Sequence, residues 1–243
     1  MSELSNYIDE YLKTEYTLKS TLKDSVQSSV YLYQKNDSAK QIVKISQKNR
    51  NDHVLRRLRG QHHKNTATIY EVCSNDEDVT VLEEYISGAT LRHIVEANGG
   101  TLKRELAVKY ALDICNGLVF IHSLGIIHRD IKPSNIIITE QGEAVIIDFG
   151  IARLTDDSKY SDTKNLGTAG YAAPEQFGIY QSGPVTDIYA VGVLLNELLL
   201  GVHPTIDTPK GKLGKVINKC IMAQMSKRYQ NVSELAEVLN KLL

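Results

Sequence analysis

The spacing of apolar residues changes along the chain and separates two regions. Near the N-terminus, Ile8, Tyr11 and Leu12 recur at the spacing of one helix face, which predicts a short N-terminal helix. The stretch 16–46 contains runs rich in β-branched and aromatic residues separated by polar turns, and it predicts three strands. The other elements predicted before residue 86 are a short helix and two strands, over 51–59, 67–72 and 79–85.

Beyond Gly88 the pattern becomes mainly helical. Apolar residues recur at helical spacing over 102–124, and the helix predicted over 185–200 is apolar on nearly every side, as in a buried helix. The remaining elements are two short strands and two final helices, over 136–139, 144–147, 216–222 and 234–243. The sequence therefore predicts an α+β protein with a β-rich N-terminal part and a mainly helical C-terminal part.

Composition and charge narrow the class. The 243 residues carry a formal net charge of −1, which argues against a dedicated nucleic-acid binder, and 42% hydrophobic residues argue against bulk disorder. The most apolar stretch, 188–200, is too short and polar to span a bilayer, and the N-terminus is too acidic for a signal peptide. The three cysteines match no metal or disulfide spacing. We therefore expect a cytoplasmic protein without a membrane span or a nucleic-acid partner.

Two short segments carry the chemistry. Residues 128–135 read His-Arg-Asp-Ile-Lys-Pro-Ser-Asn, and residues 148–150 read Asp-Phe-Gly. Phosphoryl transfer needs a carboxylate to orient the attacking hydroxyl, a cation to meet the charge on the phosphoryl group, and a carboxylate with an amide to hold magnesium. The residues that supply these groups in the required order are Asp130, Lys132, Asp148 and Asn135.

These segments, with Gly-Thr-Ala-Gly-Tyr at 167–171 and Ala-Pro-Glu at 173–175, resemble those of eukaryotic-like (Hanks-type) serine/threonine protein kinases. The resemblance covers roughly 16–243 and implies a bilobal fold with an N-lobe over 1–85 and a C-lobe over 86–243. It also implies transfer of the ATP γ-phosphoryl group to protein hydroxyls, with Mg²⁺, or Mn²⁺ in its place. Asn135 and Asp148 would be the metal ligands.

The resemblance assigns further roles in the C-lobe. Glu175 would pair with Arg228, and Asp187 would hold the backbone of the catalytic loop. Arg129, beside the catalytic Asp, is typical of kinases whose activation loop is ordered by phosphorylation, and Lys132 with Thr168 is typical of the Ser/Thr type. The activation loop would span 151–166, with four candidate autophosphorylation sites: Thr155, Ser158, Ser161 and Thr163.

The N-lobe departs from the family pattern. Lys44 stands at the position of the β3 lysine that holds the α/β-phosphates, and Ile42 replaces the alanine that lies over the adenine. Glu84 and Ile86 fall in the hinge that would meet the base. The glycine-rich loop has lost its glycines, which normally let the backbone approach phosphate closely. The alignment places Lys23, Ser25 and Ser28 at the glycine positions and Val30 at the valine that follows, so we expect an altered nucleotide clamp.

The glutamate of the family's αC helix, which pairs with the β3 lysine, is also missing. Asp52 is a shorter candidate on the predicted short helix, and Glu83 falls at the gatekeeper position, near the β3 lysine. Because a buried carboxylate needs a partner, we hypothesise a Lys44–Glu83 ion pair.

Three functions remain open at this point. An active Ser/Thr protein kinase is favoured, because the C-lobe carries the proton acceptor and both metal ligands. A pseudokinase or weakly active scaffold that binds a protein partner is the alternative, because three departures fall in the N-lobe. A small-molecule kinase ranks last, because the Ala-Pro-Glu element and Thr168 are typical of kinases that act on proteins.

Overall fold

The computed structural model describes residues 3–25, 28–48, 51–156, 168–177 and 181–243, with side chains from residue 7 onward. The chain divides into two compact units. The N-terminal unit comprises Met1–His63 and Ala67–Ile86, and the C-terminal unit comprises Lys64–Thr66 and Ser87–Leu243. The boundary after residue 85 stays a prediction.

The N-terminal unit is a five-stranded antiparallel sheet with two helices. Its elements in chain order are α1 (Glu3–Glu15), β1 (Tyr16–Asp24), β2 (Ser28–Lys35), β3 (Gln41–Lys48), α2 (Asp52–Leu58), β4 (Ile69–Ser74) and β5 (Asp78–Glu84). The strand order is β1-β2-β3-β5-β4. β1 is therefore an edge strand, and it is exposed along almost its whole length.

One face of this sheet is covered by α1. Ile8 and Leu12 of the helix join a buried cluster with Tyr16, Ile42 and Leu82. Residues directly opposite one another in antiparallel strands point to the same face. Lys44 is opposite Leu82 and therefore belongs to this face, which we call the α1 face.

The opposite face lies towards α2 and is named the α2 face. Arg56 of α2 donates a hydrogen bond of 2.9 Å to Ser74 Oγ, and Ser74 lies opposite Val79. The β2–β3 and β3–β5 ladders pair without a bulge, so the faces alternate regularly along them. The residues of these three strands on the α2 face include Val30, Val43, Ile45, Val79, Val81 and Glu83.

The C-terminal unit is mainly helical. Its elements are β6 (Gly88–Thr90), α3 (Leu91–Ala97), α4 (Arg104–Ser123), β7 (Ile126–Ile127), β8 (Ile136–Thr139), β9 (Ala144–Ile146), β10 (Arg153–Leu154), α5 (Pro184–Leu200), α6 (Lys212–Cys220) and α7 (Val232–Asn240). The strands form the small sheets β6-β8-β9 and β10-β7.

Helix α5 is the centre of this unit, because it packs against α4, α6 and α7. Gly192 lets α6 approach closely, since a Cβ atom there would lie 2.5 Å from Cys220 Cβ. The prediction of a buried helix is confirmed, as most of its side chains from Val185 to Leu198 are buried.

The predicted α+β class, β-rich before residue 86 and helical after it, is confirmed. The structure adds elements too short for a clear pattern, namely β6, β7, β10 and α3. Within the described ranges, no helix is both long enough and apolar enough to span a membrane.

Candidate active site

The catalytic loop begins where β7 ends and continues to the start of β8. Arg129 has a φ of +69°, a left-handed conformation that is costly for a side chain with a Cβ. Asp187, in the first turn of α5, holds this backbone by accepting hydrogen bonds from the N–H groups of His128 (2.9 Å) and Arg129 (2.8 Å). The predicted role of Asp187 is therefore confirmed.

Asp187 is fully buried, so its ionisation depends on its partners. Burial acts to raise the pKa of this carboxyl, but hydrogen bonds and nearby charge more than offset it, and the pKa is lowered. The main lowering contribution comes from His122, whose Nε2 lies 2.8 Å from Asp187 Oδ2. The residue under the catalytic loop is thus a carboxylate at neutral pH. The sequence pattern did not point to His122, which lies in the last turn of α4.

Three side chains close a hydrogen-bonded triangle at Asp130. Lys132 Nζ lies 2.7 Å from both Asp130 Oδ2 and Thr168 Oγ1, and the Thr168 hydroxyl donates to Asp130 Oδ1 at 2.7 Å. The side chains of Asp130 and Lys132 retain 13% and 20% of their exposure, so they remain accessible. The carboxylate is fixed in position and can still meet a hydroxyl group from outside.

Asn135 and Asp148 are brought together by the β8–β9 hairpin. Asn135 directly precedes β8, and Ile147 N donates to Asn135 O at 3.0 Å. Asn135 and Asp148, the residue after Ile147, therefore lie at the open end of the hairpin. The Asn135 amide nitrogen donates to Asp130 O (3.0 Å) and Asp130 Oδ2 (2.9 Å). Its oxygen accepts a long hydrogen bond of 3.5 Å from Ser134 Oγ and has a second lone pair for a further partner. The Asp148 side chain is exposed, and its backbone has a φ of +66°.

An amide oxygen beside a carboxylate is a donor set that suits a hard cation such as Mg²⁺. Among the described residues, no cluster of three or more His, Cys, Asp or Glu side chains could hold a metal ion. A magnesium ion held by Asn135 and Asp148 would take two protein ligands, as it commonly does when substrate phosphates complete its shell.

The segment 168–177, which follows the predicted activation loop, is fastened to the rest of the C-terminal unit by a buried ion pair. Arg228 Nη1 and Nη2 donate to Glu175 Oε1 and Oε2 at 2.7 and 2.8 Å, which confirms the predicted pair. Gln176 Nε2 donates to the carbonyl oxygen of Arg129 at 3.0 Å and links this segment to the catalytic loop. Tyr171 donates its hydroxyl hydrogen to Glu197. No sequence signal distinguished Gln176 from an ordinary polar residue.

Most of the predicted activation loop lies outside the described residues, and so do Ser158, Ser161 and Thr163. Thr155 is described, and its N–H donates to Gly125 O at 2.9 Å. Phosphorylation at any of the four sites stays a prediction.

Lys44 does not pair with either carboxylate considered for it. Its ammonium group bonds to Asp9 of α1. The Lys44–Glu83 hypothesis is therefore wrong, because the strand register places Glu83 opposite Val43 on the α2 face and Lys44 on the α1 face. The alternative, Asp52, accepts a hydrogen bond of 2.8 Å from Ser74 Oγ instead. No local pattern pointed to Asp9, which reaches Lys44 because α1 packs against the sheet.

The residues predicted to meet the nucleotide divide between the two faces of the sheet. Val30 is opposite Ile45 on the α2 face. Glu84 is opposite Ile42 on the α1 face with Lys44, and its Oε2 accepts from Thr68 N at 3.1 Å. Their nucleotide contacts, and that of Ile86 just beyond β5, stay predictions.

The turn between β1 and β2 is closed by its own serines. Ser25 N and Ser25 Oγ both donate to Ser28 O, at 3.0 and 2.9 Å, and Ser28 N donates to Ser25 Oγ at 3.2 Å. The N–H groups at these two former glycine positions are therefore engaged within the hairpin rather than free for an anion.

The comparison with known proteins agrees with this geometry. A family model described as the protein kinase domain matches residues 15–243. The chain belongs to the protein kinase family. Helix α1, with Asp9, lies almost entirely before the matched region of this kinase domain.

Several curated relatives come from bacteria. A probable serine/threonine-protein kinase of Clostridium acetobutylicum is 33% identical over 73% of this chain and 31% of its own length. Another, of Clostridium perfringens, is 31% identical over 84% of this chain and 34% of its own length. The serine/threonine-protein kinase PknB of Mycolicibacterium smegmatis is 41% identical over 53% of this chain and 21% of its own length. The kinase domain thus spans about a third or less of the length of these relatives.

Proposed function

We propose that this kinase domain transfers the γ-phosphoryl group of ATP to serine or threonine hydroxyls of proteins. The observation that carries the proposal is the triangle of Asp130, Lys132 and Thr168, because it presents a fixed carboxylate and a cation side by side. A lysine two residues after the catalytic Asp, bonded to a threonine of the following segment, supports the Ser/Thr type.

Each side chain has a role in the transfer. Asp130 accepts a hydrogen bond from the incoming hydroxyl and takes its proton while the oxygen bonds to the γ-phosphorus and the bond from phosphorus to the leaving ADP oxygen breaks. Lys132, 2.7 Å from Asp130, offsets negative charge on the phosphoryl group. Asn135 and Asp148 would hold Mg²⁺, which neutralises phosphate charge when bound.

The nucleotide clamp is part of the same proposal. The N–H group of Ser25 donates to Ser28 O, and that of Ser28 donates to Ser25 Oγ. Fewer backbone donors are therefore left for phosphate than a glycine-rich loop offers. We therefore expect weaker ATP binding than in kinases with the glycine loop, and an ordinary rate of transfer once ATP is bound.

A second candidate is a protein-binding module without transfer activity. The observation that favours it is the Lys44–Asp9 ion pair, which occupies the lysine that the family uses for the α/β-phosphates. A small-molecule kinase is the third candidate, and transfer to a small alcohol but to no protein would support it.

The experiment is transfer of labelled phosphate from ATP with Mg²⁺ or Mn²⁺ to the chain itself and to an acceptor protein such as casein. Asp130→Asn keeps the shape of the side chain and removes the proton acceptor, so we expect transfer to fall about 100-fold or more. Asp76→Asn makes the same chemical change at an exposed turn and should leave transfer unchanged.

Label that persists undiminished in Asp130→Asn would contradict the assigned role. If the wild type neither transfers label nor gains thermal stability with ATP, the binding-module function is the correct one.

A further inference from the structure

The strand register raises the question of which cation meets the ATP phosphates. Lys44 lies on the α1 face and is bonded to Asp9, with only 13% of its side chain exposed. Val30, which stands at the valine that follows the family's glycine loop, lies on the opposite face. The two residues therefore cannot line one surface of the sheet unless β3 shifts by one residue, which would take Ile42 out of its buried cluster with Ile8 and Leu12 of α1.

On the α2 face, β3 supplies no charge. The residues of β3 next to Val30 and Glu83 on this face are Ile45 and Val43. Glu83 is acidic and 6% exposed, so it supplies no cation for an anion on this face. Arg56 of α2 reaches this face but is already bonded to Asp52 and Ser74, so a phosphate on this side of the sheet needs a cation from another element.

Lys23 is a lysine on that face. A bulge after Thr21 brings Lys23 directly opposite Val30, so the two share the α2 face near the β1–β2 turn. Its side chain is exposed, and no described residue forms a hydrogen bond or ion pair with its ammonium group. The neighbouring Asp24 lies opposite Ser29 and points to the other face.

We propose that Lys23, rather than Lys44, is the phosphate-binding lysine of this kinase, and that Lys44 fastens α1 to the sheet through Asp9. The proposal rests on the proposed function as an ATP-dependent kinase. It moves the cation from β3 to the hairpin, where Ser25 and Ser28 no longer offer the backbone N–H groups of a glycine loop. A lysine ammonium with three donors can replace part of that cradle as a point charge.

The test measures equilibrium binding of ATP and of adenosine separately, with Mg²⁺ present, alongside KM for ATP and the melting temperature. Lys23→Gln should raise Kd and KM for ATP about tenfold, the effect of losing one hydrogen bond to a charged group. It should leave the affinity for adenosine and the melting temperature unchanged. Lys23→Arg should restore most of the ATP affinity.

Lys19→Gln is the matched control, since Lys19 lies on the same exposed strand and no described residue pairs with it. It should change neither affinity. Lys44→Gln and Asp9→Asn should each lower the melting temperature and change the Kd for ATP less than twofold.

A Lys23→Gln protein that binds ATP as tightly as the wild type overturns the proposal, and so does a wild type that binds no ATP. A tenfold weaker ATP affinity confined to Lys44→Gln restores the family assignment instead. Binding and transfer are scored separately. A wild type that binds ATP through Lys23 but transfers no label would contradict the proposed kinase activity and leave the Lys23 assignment intact.

Discussion

Arg228 and Glu175 offer a direct measure of how firmly the segment after the activation loop is held. Their side chains are 0% and 1% exposed, and two charge-assisted hydrogen bonds of 2.7 and 2.8 Å join them. The Glu175 carboxylate also accepts from Thr186 Oγ1 at 2.9 Å. Arg228→Met removes the cation and both bonds but keeps an apolar side chain of similar length, so the carboxylate stays buried with one partner fewer.

The size of the effect follows from burial. Removing one member of a fully buried ion pair costs about 3–5 kcal/mol of unfolding free energy, because the other charge remains in a low dielectric. The guanidinium group also donates to the carbonyl oxygens of Val185 (3.0 Å) and Met222 (2.8 Å). Each of these bonds contributes about 1 kcal/mol more. We expect a total loss of about 5–7 kcal/mol.

The assay is urea unfolding at 25 °C, followed by circular dichroism. With a slope near 3 kcal/mol per molar urea, a loss of about 5 kcal/mol lowers the midpoint by about 1.7 M. The matched control is Arg92→Met, which breaks an exposed pair with Glu96 at 3.5 Å, whose side chains are 58% and 62% exposed. Solvent screening limits that loss to about 0.5 kcal/mol.

A midpoint for Arg228→Met that matches that of Arg92→Met would refute the reasoning, since it would mean that the buried pair behaves as a solvated one. The double variant Arg228→Met/Glu175→Leu adds a second check. Because it leaves no unpaired buried charge, it should be more stable than Arg228→Met alone by about 2 kcal/mol.

Three further changes test the site and its support. Thr168→Ala removes the hydroxyl bonded to Asp130 and should lower kcat for labelled-phosphate transfer about tenfold, while Thr168→Ser should keep it. Asp187 has a lowered pKa in the fold. The stability that its ionisation contributes is therefore present above the unfolded pKa near 3.9 and is lost as pH falls through the folded pKa. The difference in unfolding free energy between wild type and Asp187→Asn, measured by urea unfolding, should narrow in acid. Gly192→Ala should lower the melting temperature by several degrees despite the better helix propensity of alanine, because the new Cβ would lie 2.5 Å from Cys220 Cβ.

The catalytic loop could be predicted from the sequence because its residues act over short distances along the chain. Asp130, Lys132 and Asn135 sit within one turn and bond to one another directly. The helix over 185–200 was predictable for a related reason, since an almost uniformly apolar segment of that length has to be buried. Asp187 then lies in the first turn of that helix, under the loop.

The position of Lys44 could not be predicted in the same way. The run Ile42-Val43-Lys44-Ile45 places apolar residues on both faces of β3, because α1 covers one face and α2 lies towards the other. Without alternation between apolar and polar residues, nothing in the strand itself states which face the lysine takes. The register of β3 with β5 determines the face on which Lys44 lies, and a shift of one residue would place it on the other face.

The two lysines of the N-terminal unit illustrate how far a motif can be carried from one protein to another. A motif names a position along a strand, whereas chemistry depends on the face to which that position points. Lys44 keeps the position of the family's β3 lysine but faces α1, a helix that lies almost entirely before the family match, and it forms an ion pair with Asp9 of that helix. Lys23 stands where the family has a glycine, but it shares a face with Val30. Because the proton acceptor and metal ligands in the C-terminal unit depend on neither lysine, the departures should affect KM for ATP far more than kcat.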